Sequence, residues 1–386
     1  MIMGKTILVL GGGIGGIRTA REINKMIGND EDATLAKILV FEKEKASLFA
    51  PSLTWMMVGR RETYDIQDDL SKIELSGIEV VYGDIESVDP ESISVVSNGK
   101  SYKGDYMVVS LGTEQADYKG LSKAGHNFYT SEGAKNFHKK LLRFKKGRIA
   151  IVVSTMPFKS PVAPYEASML VDSYLRENDI REHSDVTLFS PEKKPMSFAG
   201  KEVSENIKSL LESKDITYCP EHELEAAEPG KLTFKNNGET KETSFDLIAY
   251  TPHHECPAVI KEAGLVGSSG WVEVNEKTLS TKFKNVYAIG DITNIQLSDD
   301  ESLPKAGVFA QYQASVVANN IVKDIHGKEA DKEFEAKGKY ILEQGDGKAS
   351  SIGGNFYSAD LEIKESSAIQ HWVKILQEKS WFAKNF

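Results

Sequence analysis

Lys5 to Gly16 reads KTILVLGGGIGG. Thr6, Ile7, Leu8, Val9 and Leu10 make an apolar run of the kind buried inside a parallel sheet. The run enters Gly11, Gly13 and Gly16, spaced G-x-G-x-x-G, and Ile14, Ile17, Ala20 and Ile23 then share one helical face. Gly11 permits a tight turn, Gly13 lets a pyrophosphate reach the backbone, and Gly16 lets the helix lie close to the strand. The helix N-terminus, with Ile14 and Gly15 in its first turn, presents unpaired N–H groups and a partial positive charge to the phosphates. A second apolar strand, Lys37 to Phe41, ends in Glu42, whose carboxylate is placed to accept ribose hydroxyls, with Lys43 beside it. The gap from the glycines exceeds the usual interval of about 20 residues. We read Asn29 to Ala33, NDEDA, as a surface insertion. Strand, glycine turn, helix and acid in this order predict dinucleotide binding in an α/β chain.

At 386 residues the chain has room for two or three domains. Its formal charge of −10 argues against nucleic acid as a partner. The first strand begins at once, so no signal peptide is expected. No apolar run approaches the length of about 20 residues that spans a bilayer. Two cysteines, Cys219 and Cys256, do not suggest a disulfide scaffold, and a cytoplasmic location is the default expectation.

Lys43 to Arg61 is apolar without a clean period, carrying Phe49, Leu53, Trp55, Met56 and Met57. Something must cover such a loop: a bound cofactor, with Ser52 and Leu53 as candidate contacts, or domain packing. Asp65 to Leu75 reads as a short helix, and Ile85 to Val96 with Ser101 to Ser110 as a meander. Its last strand ends in Gly112-Thr113, which suits close backbone approach to a ligand. Glu114 to Tyr129 reads as a linker. Arg148 to Val153 then opens a second strand–helix unit, but its turn, Ser154 to Pro164, has three prolines and no glycine. Proline removes the N–H donors that a pyrophosphate needs, which argues against NAD(P) there. Glu166 begins the next helix, either as a first-turn carboxylate complementing the helix dipole or as a proton carrier beside a reactive centre.

Val286 to Ile289 ends in Gly290-Asp291. A strand closing on Gly-Asp is the second half of a flavin signature, its Asp holding a ribitol hydroxyl. The expected fold is therefore α/β, with two Rossmann-like three-layer domains. Residues 1–113 and 280–325 form a discontinuous FAD domain, 114–279 an inserted second domain, and 326–386 a C-terminal region. Leu303 to Gly307 opens a long helix to about Val322. Its N-terminus, with Ala306 and Gly307, is a candidate for facing the flavin's pyrimidine ring, where Lys305 would add a charge; ordinary helix entry at Pro304 is the other reading. Ser366 to Phe386 interleaves Ile369, Trp372, Val373, Leu376, Trp381 and Phe382 with Lys374, Lys379 and Lys384. It reads either as core packing or as a membrane-surface docking face.

Together, KTILVLGGGIGG, Phe49 to Trp55, the Gly112 strand end, Pro157 to Glu166, Trp271, Ala288 to Asp291, Pro304 to Gly307 and the Gly345-Asp346-Gly347 turn resemble the sulfide:quinone oxidoreductases. They are also similar to the flavoprotein subunit of flavocytochrome c sulfide dehydrogenase. The resemblance covers nearly the whole chain, in order. It implies FAD, a quinone or cytochrome acceptor, and often a peripheral association with the membrane, here at its inner face. That family uses two cysteines facing the flavin. Ser160 stands at one position, and Tyr340, or else Lys339, at the other, ahead of Glu343. Neither hydroxyl forms a disulfide or persulfide, which argues against the family's usual thiol route. No cysteine stands where some members attach FAD, so non-covalent FAD is expected. Cys256, beside His253 and His254, is the candidate substitute thiol, or else a buried structural cysteine.

The reading favoured by these residues is an FAD oxidoreductase passing electrons from sulfide or another small reductant to a quinone. Phe356, Tyr357 and Trp372 are candidates for the quinone pocket. An NADH:quinone oxidoreductase on the same fold and a flavin-binding partner protein without turnover are the alternatives. No metal site is expected, and the oligomeric state is left open.

Overall fold

The computed structural model describes residues 4–28, 36–74, 77–298 and 301–386. The expected insertion at Asn29 to Ala33 lies outside them.

Lys5–Leu10 forms the centre of a five-stranded parallel sheet, between Ala36–Glu42 and Tyr106–Val109, with Glu79–Tyr82 and Val286–Ala288 at the edges. Ile7, Leu8, Val9 and Leu10 are fully buried, as a strand covered on both faces requires. The first helix, α1 (Ile14–Gly28), buries Ile17, Ala20 and Ile23. An antiparallel meander of Ile85–Asp89, Ser94–Ser97 and Lys100–Lys103 leads into Tyr106–Val109.

A second parallel sheet has the order His126–Asn127, Leu247–Thr251, Gly147–Val153, Ser184–Phe189 and Ile216–Cys219. Its helix α2 (Ala163–Glu177) has Pro164 in the first turn, where the missing N–H removes no bond. A smaller sheet of Glu223–Glu228, Lys231–Asn236 and Glu239–Ser244 covers one face. The long helix α3 (Gly307–Ile325) returns to pack on α1. Three antiparallel strands, Lys337–Gly345, Lys348–Asn355 and Asp360–Ser367, and a closing helix α4 (Ala368–Asn385) complete the chain. Two Rossmann-like parallel sheets with flanking helices are thus the architecture expected.

Several local expectations change. Residues 65–74 are not one helix. Thr63–Ile66 and Ser71–Glu74 are single turns separated by Gln67–Asp69, which pairs with Ala46–Leu48; Leu75 lies outside the described residues. The stretch 114–129 is no simple linker, because Glu114–Ala116 pairs with His253–Glu255 and His126–Asn127 joins the second sheet. Cys256, Ile260, Leu265, Trp271 and Val272 pack with Leu8, Leu10 and Met107 under the first sheet. This stretch, expected in the inserted domain, therefore belongs to the first core. Among the described residues, no helix is long and apolar enough to cross a membrane.

Candidate active site

The glycine turn behaves as its spacing requires. Gly11 has φ +104°, and a Cβ on Gly16 would stand 1.8 Å from the Gly11 carbonyl oxygen, so Gly16 serves helix–strand contact rather than the ligand. A Cβ on Gly13 would meet nothing within 4 Å, which leaves its backbone open to a ligand. That opening belongs to a cavity of about 930 Å³. Gly11, Gly13, Ile14 and Gly15 form its floor, and Glu42 and Lys43 close one end. Gly112 and Thr113 approach from the strand end at Val109, and Gly290, Asp291, Ala306 and Gly307 from the start of α3. Phe49, Leu53 and Thr54 of the apolar loop line it as well, as do Val373, Lys374, Leu376, Gln377 and Trp381 of α4.

The polar groups fit FAD. Glu42 Oε2 accepts from the Gly12 amide at 2.7 Å, which fixes the carboxylate beside the turn with lone pairs left for ribose hydroxyls. Asp291 Oδ1 and Thr113 Oγ1 are buried without a protein partner, as expected of groups that meet a polyhydroxylated ligand. Burial raises the Asp291 carboxyl above its ordinary value, opposed by Lys159 and Lys305. Gln313, buried in α3, accepts from the Gly290 amide at 2.6 Å and so holds the Gly-Asp turn.

Two of the sequence-derived cofactor contacts face elsewhere. Ser52 Oγ donates to Glu378 Oε2 at 2.6 Å, away from the cavity. Lys305 Nζ donates to the carbonyls of Asp291 at 2.7 Å and Thr293 at 3.1 Å, and sits 3.4 Å from the Trp271 ring centroid. Its backbone flanks the site, since its carbonyl accepts from the Ser160 amide at 2.7 Å, but its side chain does not line the cavity. The helix begins at Gly307, one residue beyond Ala306, so Lys305 anchors the preceding loop. Burial lowers its ammonium to about 8.

Ser160, Lys339 and Tyr340, which the resemblance sets at the family's two cysteine positions, all line this one cavity. Ser160 adopts φ +57°, and the Tyr340 hydroxyl is buried without a partner. Lys159, not singled out from sequence, lines the same cavity. Cys256 does not line the cavity. It is 1 % exposed, and burial pushes its thiol up to about 11. Of its two histidine neighbours in sequence, His253 is hydrogen-bonded through Nδ1 to Thr155 Oγ1 at 2.8 Å, and burial drives His254 down to about 3. The other thiol, Cys219, lies in the second sheet.

Glu166 lines the cavity and is 2 % exposed. It accepts from Thr54 Oγ1, from Lys374 Nζ and, at 3.2 Å, from the Glu343 amide. Lys374 is 6 % exposed and lies 4.7 Å from the Trp55 ring centroid. Glu343, fully buried, takes His371 Nδ1 at 2.9 Å. Arg61 binds Glu378 at 3.0 Å. Trp381, stacked on Phe49, leaves its indole N–H unpaired at the cavity wall.

None of Phe356, Tyr357 and Trp372, the aromatic candidates for holding a quinone, lines this cavity. Phe356 is packed edge-on against Phe309 and Tyr340, in the turn after Asn355 rather than in an extended segment. The Tyr357 hydroxyl donates to the Glu276 carbonyl at 2.9 Å. Trp372 is 61 % exposed, beside Ile369 and Leu376, on the outer face of α4. Lys374, His371 and Glu378 were missed as site residues. Their spacing of three and four residues marks one helical face, but charge on a helix face ordinarily signals solvent.

The model of the pyridine nucleotide-disulphide oxidoreductase family matches residues 5–316. The chain is 26 % identical over 309 residues to the mitochondrial sulfide:quinone oxidoreductase of Mus musculus, covering 76 % of this chain and 66 % of that protein. It is 25 % identical over 338 residues to the sulfide-quinone reductase of Aquifex aeolicus, with 84 % and 77 % covered. A type II NADH:quinone oxidoreductase of Staphylococcus aureus is 20 % identical over 349 residues, with 86 % and 85 % covered. The solved Aquifex aeolicus sulfide:quinone oxidoreductase superposes with a TM-score of 0.90 at 23 % identity, over 99 % of this chain and 91 % of that one.

Proposed function

We propose that this chain, which belongs to the pyridine nucleotide-disulphide oxidoreductase family, passes electrons from sulfide or another small reductant through non-covalent FAD to a quinone. FAD-dependent oxidoreductase chemistry follows from the family and from its relatives. Bound FAD would supply two-electron storage, and this chain's residues would bind, orient and protonate around it. The open backbone at Gly13 and the unpaired Asp291 and Thr113 oxygens support that cofactor. Among the described residues no cysteine lines the cavity, which supports non-covalent binding and a donor that reaches the flavin without a protein thiol.

The observation that carries the quinone reading is the part of the cavity lining supplied by the C-terminal region. There Ile341, Val373 and Leu376 give apolar surface, while the Lys374 ammonium and the Trp381 indole N–H are donors suited to carbonyl oxygens. Glu166, which lines the same cavity and is paired with Lys374, is the carboxylate to act with it. Outside the same helix, Ile369, Trp372 and Leu376 are 72 %, 61 % and 63 % exposed, an apolar ridge that supports peripheral docking on a membrane from which a quinone could enter.

The residues speak against NADH as donor. Prolines 157, 161 and 164 occupy the turn after Val153. Glu192, beyond the end of Ser184–Phe189, is buried and accepts from Tyr165 at 2.5 Å and Ser190 at 3.0 Å, so it is not open to ribose hydroxyls. Anaerobic mixing separates the readings. Sulfide should bleach the flavin's long-wavelength band and NADH should not. Bleaching by NADH alone would replace this proposal by the NADH:quinone reaction, and bleaching by neither would leave another small reductant as donor or a flavin-binding partner protein without turnover.

A further inference from the structure

Around Trp55 the fold gathers three carboxylates, Glu166, Glu343 and Glu378, all at most 2 % exposed. Buried carboxylates need counter-charges. Arg61 takes Glu378, which also accepts from Ser52 and lies 3.6 Å from the exposed Lys379. Lys374 takes Glu166, which Thr54 also bonds. Glu343 is left with His371, whose Nδ1 lies 2.9 Å from both its oxygens. This third counter-ion differs in kind. Imidazole exchanges its proton readily near neutral pH, whereas guanidinium and ammonium groups hold theirs.

His371 also differs in position. Its side chain is 20 % exposed, so it reaches solvent, while Glu343 is fully buried and neither residue lines the cavity. Lys374 is one helical turn from His371 and does line the cavity. The Glu343 backbone amide donates to Glu166 at 3.2 Å, which seats the Glu343 strand directly on the Lys374–Glu166 pair. Burial raises the Glu343 carboxyl above its ordinary value, with Lys374 the strongest opposing influence, then His371. Two hydrogen-bonded pairs therefore lie side by side between solvent and the cavity: His371 with Glu343, and Lys374 with Glu166.

We propose that His371 and Glu343 are the proton entry to the Lys374–Glu166 pair. The proposal rests on the quinone reading above. Reduction of a quinone to a quinol takes two electrons and two protons. Two electrons and one proton would come from reduced FAD when bound; the second proton would come from solvent through His371 and Glu343 to Lys374 and Glu166. Lys374 and Glu166 are at most 6 % exposed, so a proton reaches them through neighbouring groups rather than directly from bulk water. His371 and Glu343 act through Lys374 and are positioning residues with a proton to hand on.

The test uses flavin-loaded protein reduced anaerobically with dithionite and mixed in a stopped-flow instrument with a short-chain quinone or with ferricyanide, which takes electrons without protons. His371→Gln should slow reoxidation by quinone at least about tenfold near pH 7, within the range of lost proton-transfer steps. It should leave reoxidation by ferricyanide unchanged and recover with added imidazole. Glu343→Gln should slow the quinone step without imidazole rescue. Wild-type quinone rates in both variants, or equal slowing with ferricyanide, would overturn the relay. Should neither variant fold, a solvent deuterium isotope effect on the wild-type quinone step, absent with ferricyanide, is the expected result, and its absence overturns the proposal. If wild-type protein is not reoxidised by quinone at all, the functional reading itself fails and the relay with it, a result visible before any variant is made.

Discussion

Lys374 of the closing helix and Glu166 of α2 form an ion pair across the cavity wall although neither is more than 6 % exposed. The pair ties the C-terminal region to the second sheet's first helix, and both residues line the cavity. A buried pair of this kind contributes little by existing and much by not being broken.

Lys374→Met should therefore destabilise the fold by about 3–5 kcal/mol, because it strands the Glu166 carboxylate. Adding Glu166→Gln to the same chain should restore most of the loss. Denaturant unfolding of the single and double variants reads both. A double variant no more stable than Lys374→Met would contradict the pairing.

Gly13 and Gly16 should separate binding from folding. Gly13→Ala meets nothing in the protein, so the fold should persist while flavin content falls as the new methyl occupies the phosphate approach. Gly16→Ala sets a Cβ 1.8 Å from the Gly11 carbonyl oxygen and should lower both flavin content and melting temperature. The flavin-to-protein absorbance ratio, read with thermal melts, distinguishes the two.

Glu192 makes stability depend on pH in a stated direction. Burial raises its carboxyl from 4.5 to about 7, against hydrogen bonds from Tyr165 and Ser190. Between those values the folded chain holds a proton that the unfolded chain has released, so this contribution is complete below about 4.5 and lost as pH rises through 7. Melting temperature should fall over that window in wild type more than in Glu192→Gln. Parallel profiles would rule the group out.

The outer ridge of α4 should act on membrane contact alone. Ile369 and Trp372 are its two most outlying apolar groups apart from Leu376, which also lines the cavity and is left in place. The variant is therefore Ile369→Ser together with Trp372→Ser. It should reduce co-flotation with phospholipid vesicles while leaving turnover with a water-soluble quinone intact. Unchanged flotation would assign the ridge to another contact.

That the glycine turn, Glu42, the Gly112 strand end and Gly290-Asp291 come together was legible because strand-end turns restrict residue type strongly, and all of them line one cavity. That Ser160 and Tyr340 line one cavity was legible only through resemblance, since 180 residues separate them. The C-terminal helix was readable only in part. Of its two readings, the exposed Ile369 and Trp372 agree with a docking face, while Trp381 packs inward as core and the charged Lys374 and Glu378 are buried beside it. Periodicity gives the stripes and not which one the core takes, and a buried ion pair leaves no local mark in sequence. Lys305 misled similarly: a lysine before a helix N-terminus says nothing of the carbonyls at Asp291 and Thr293 that its ammonium bonds.

Electrons pass, on the function proposed here, from sulfide to a quinone through FAD with no protein thiol taking part. Anaerobic turnover of flavin-loaded Cys219→Ala/Cys256→Ala protein, followed at the flavin's long-wavelength band, tests this. Sulfide should bleach the band and a quinone should restore it at the wild-type rates. Loss of bleaching in the cysteine-free chain, with wild type active, would contradict it.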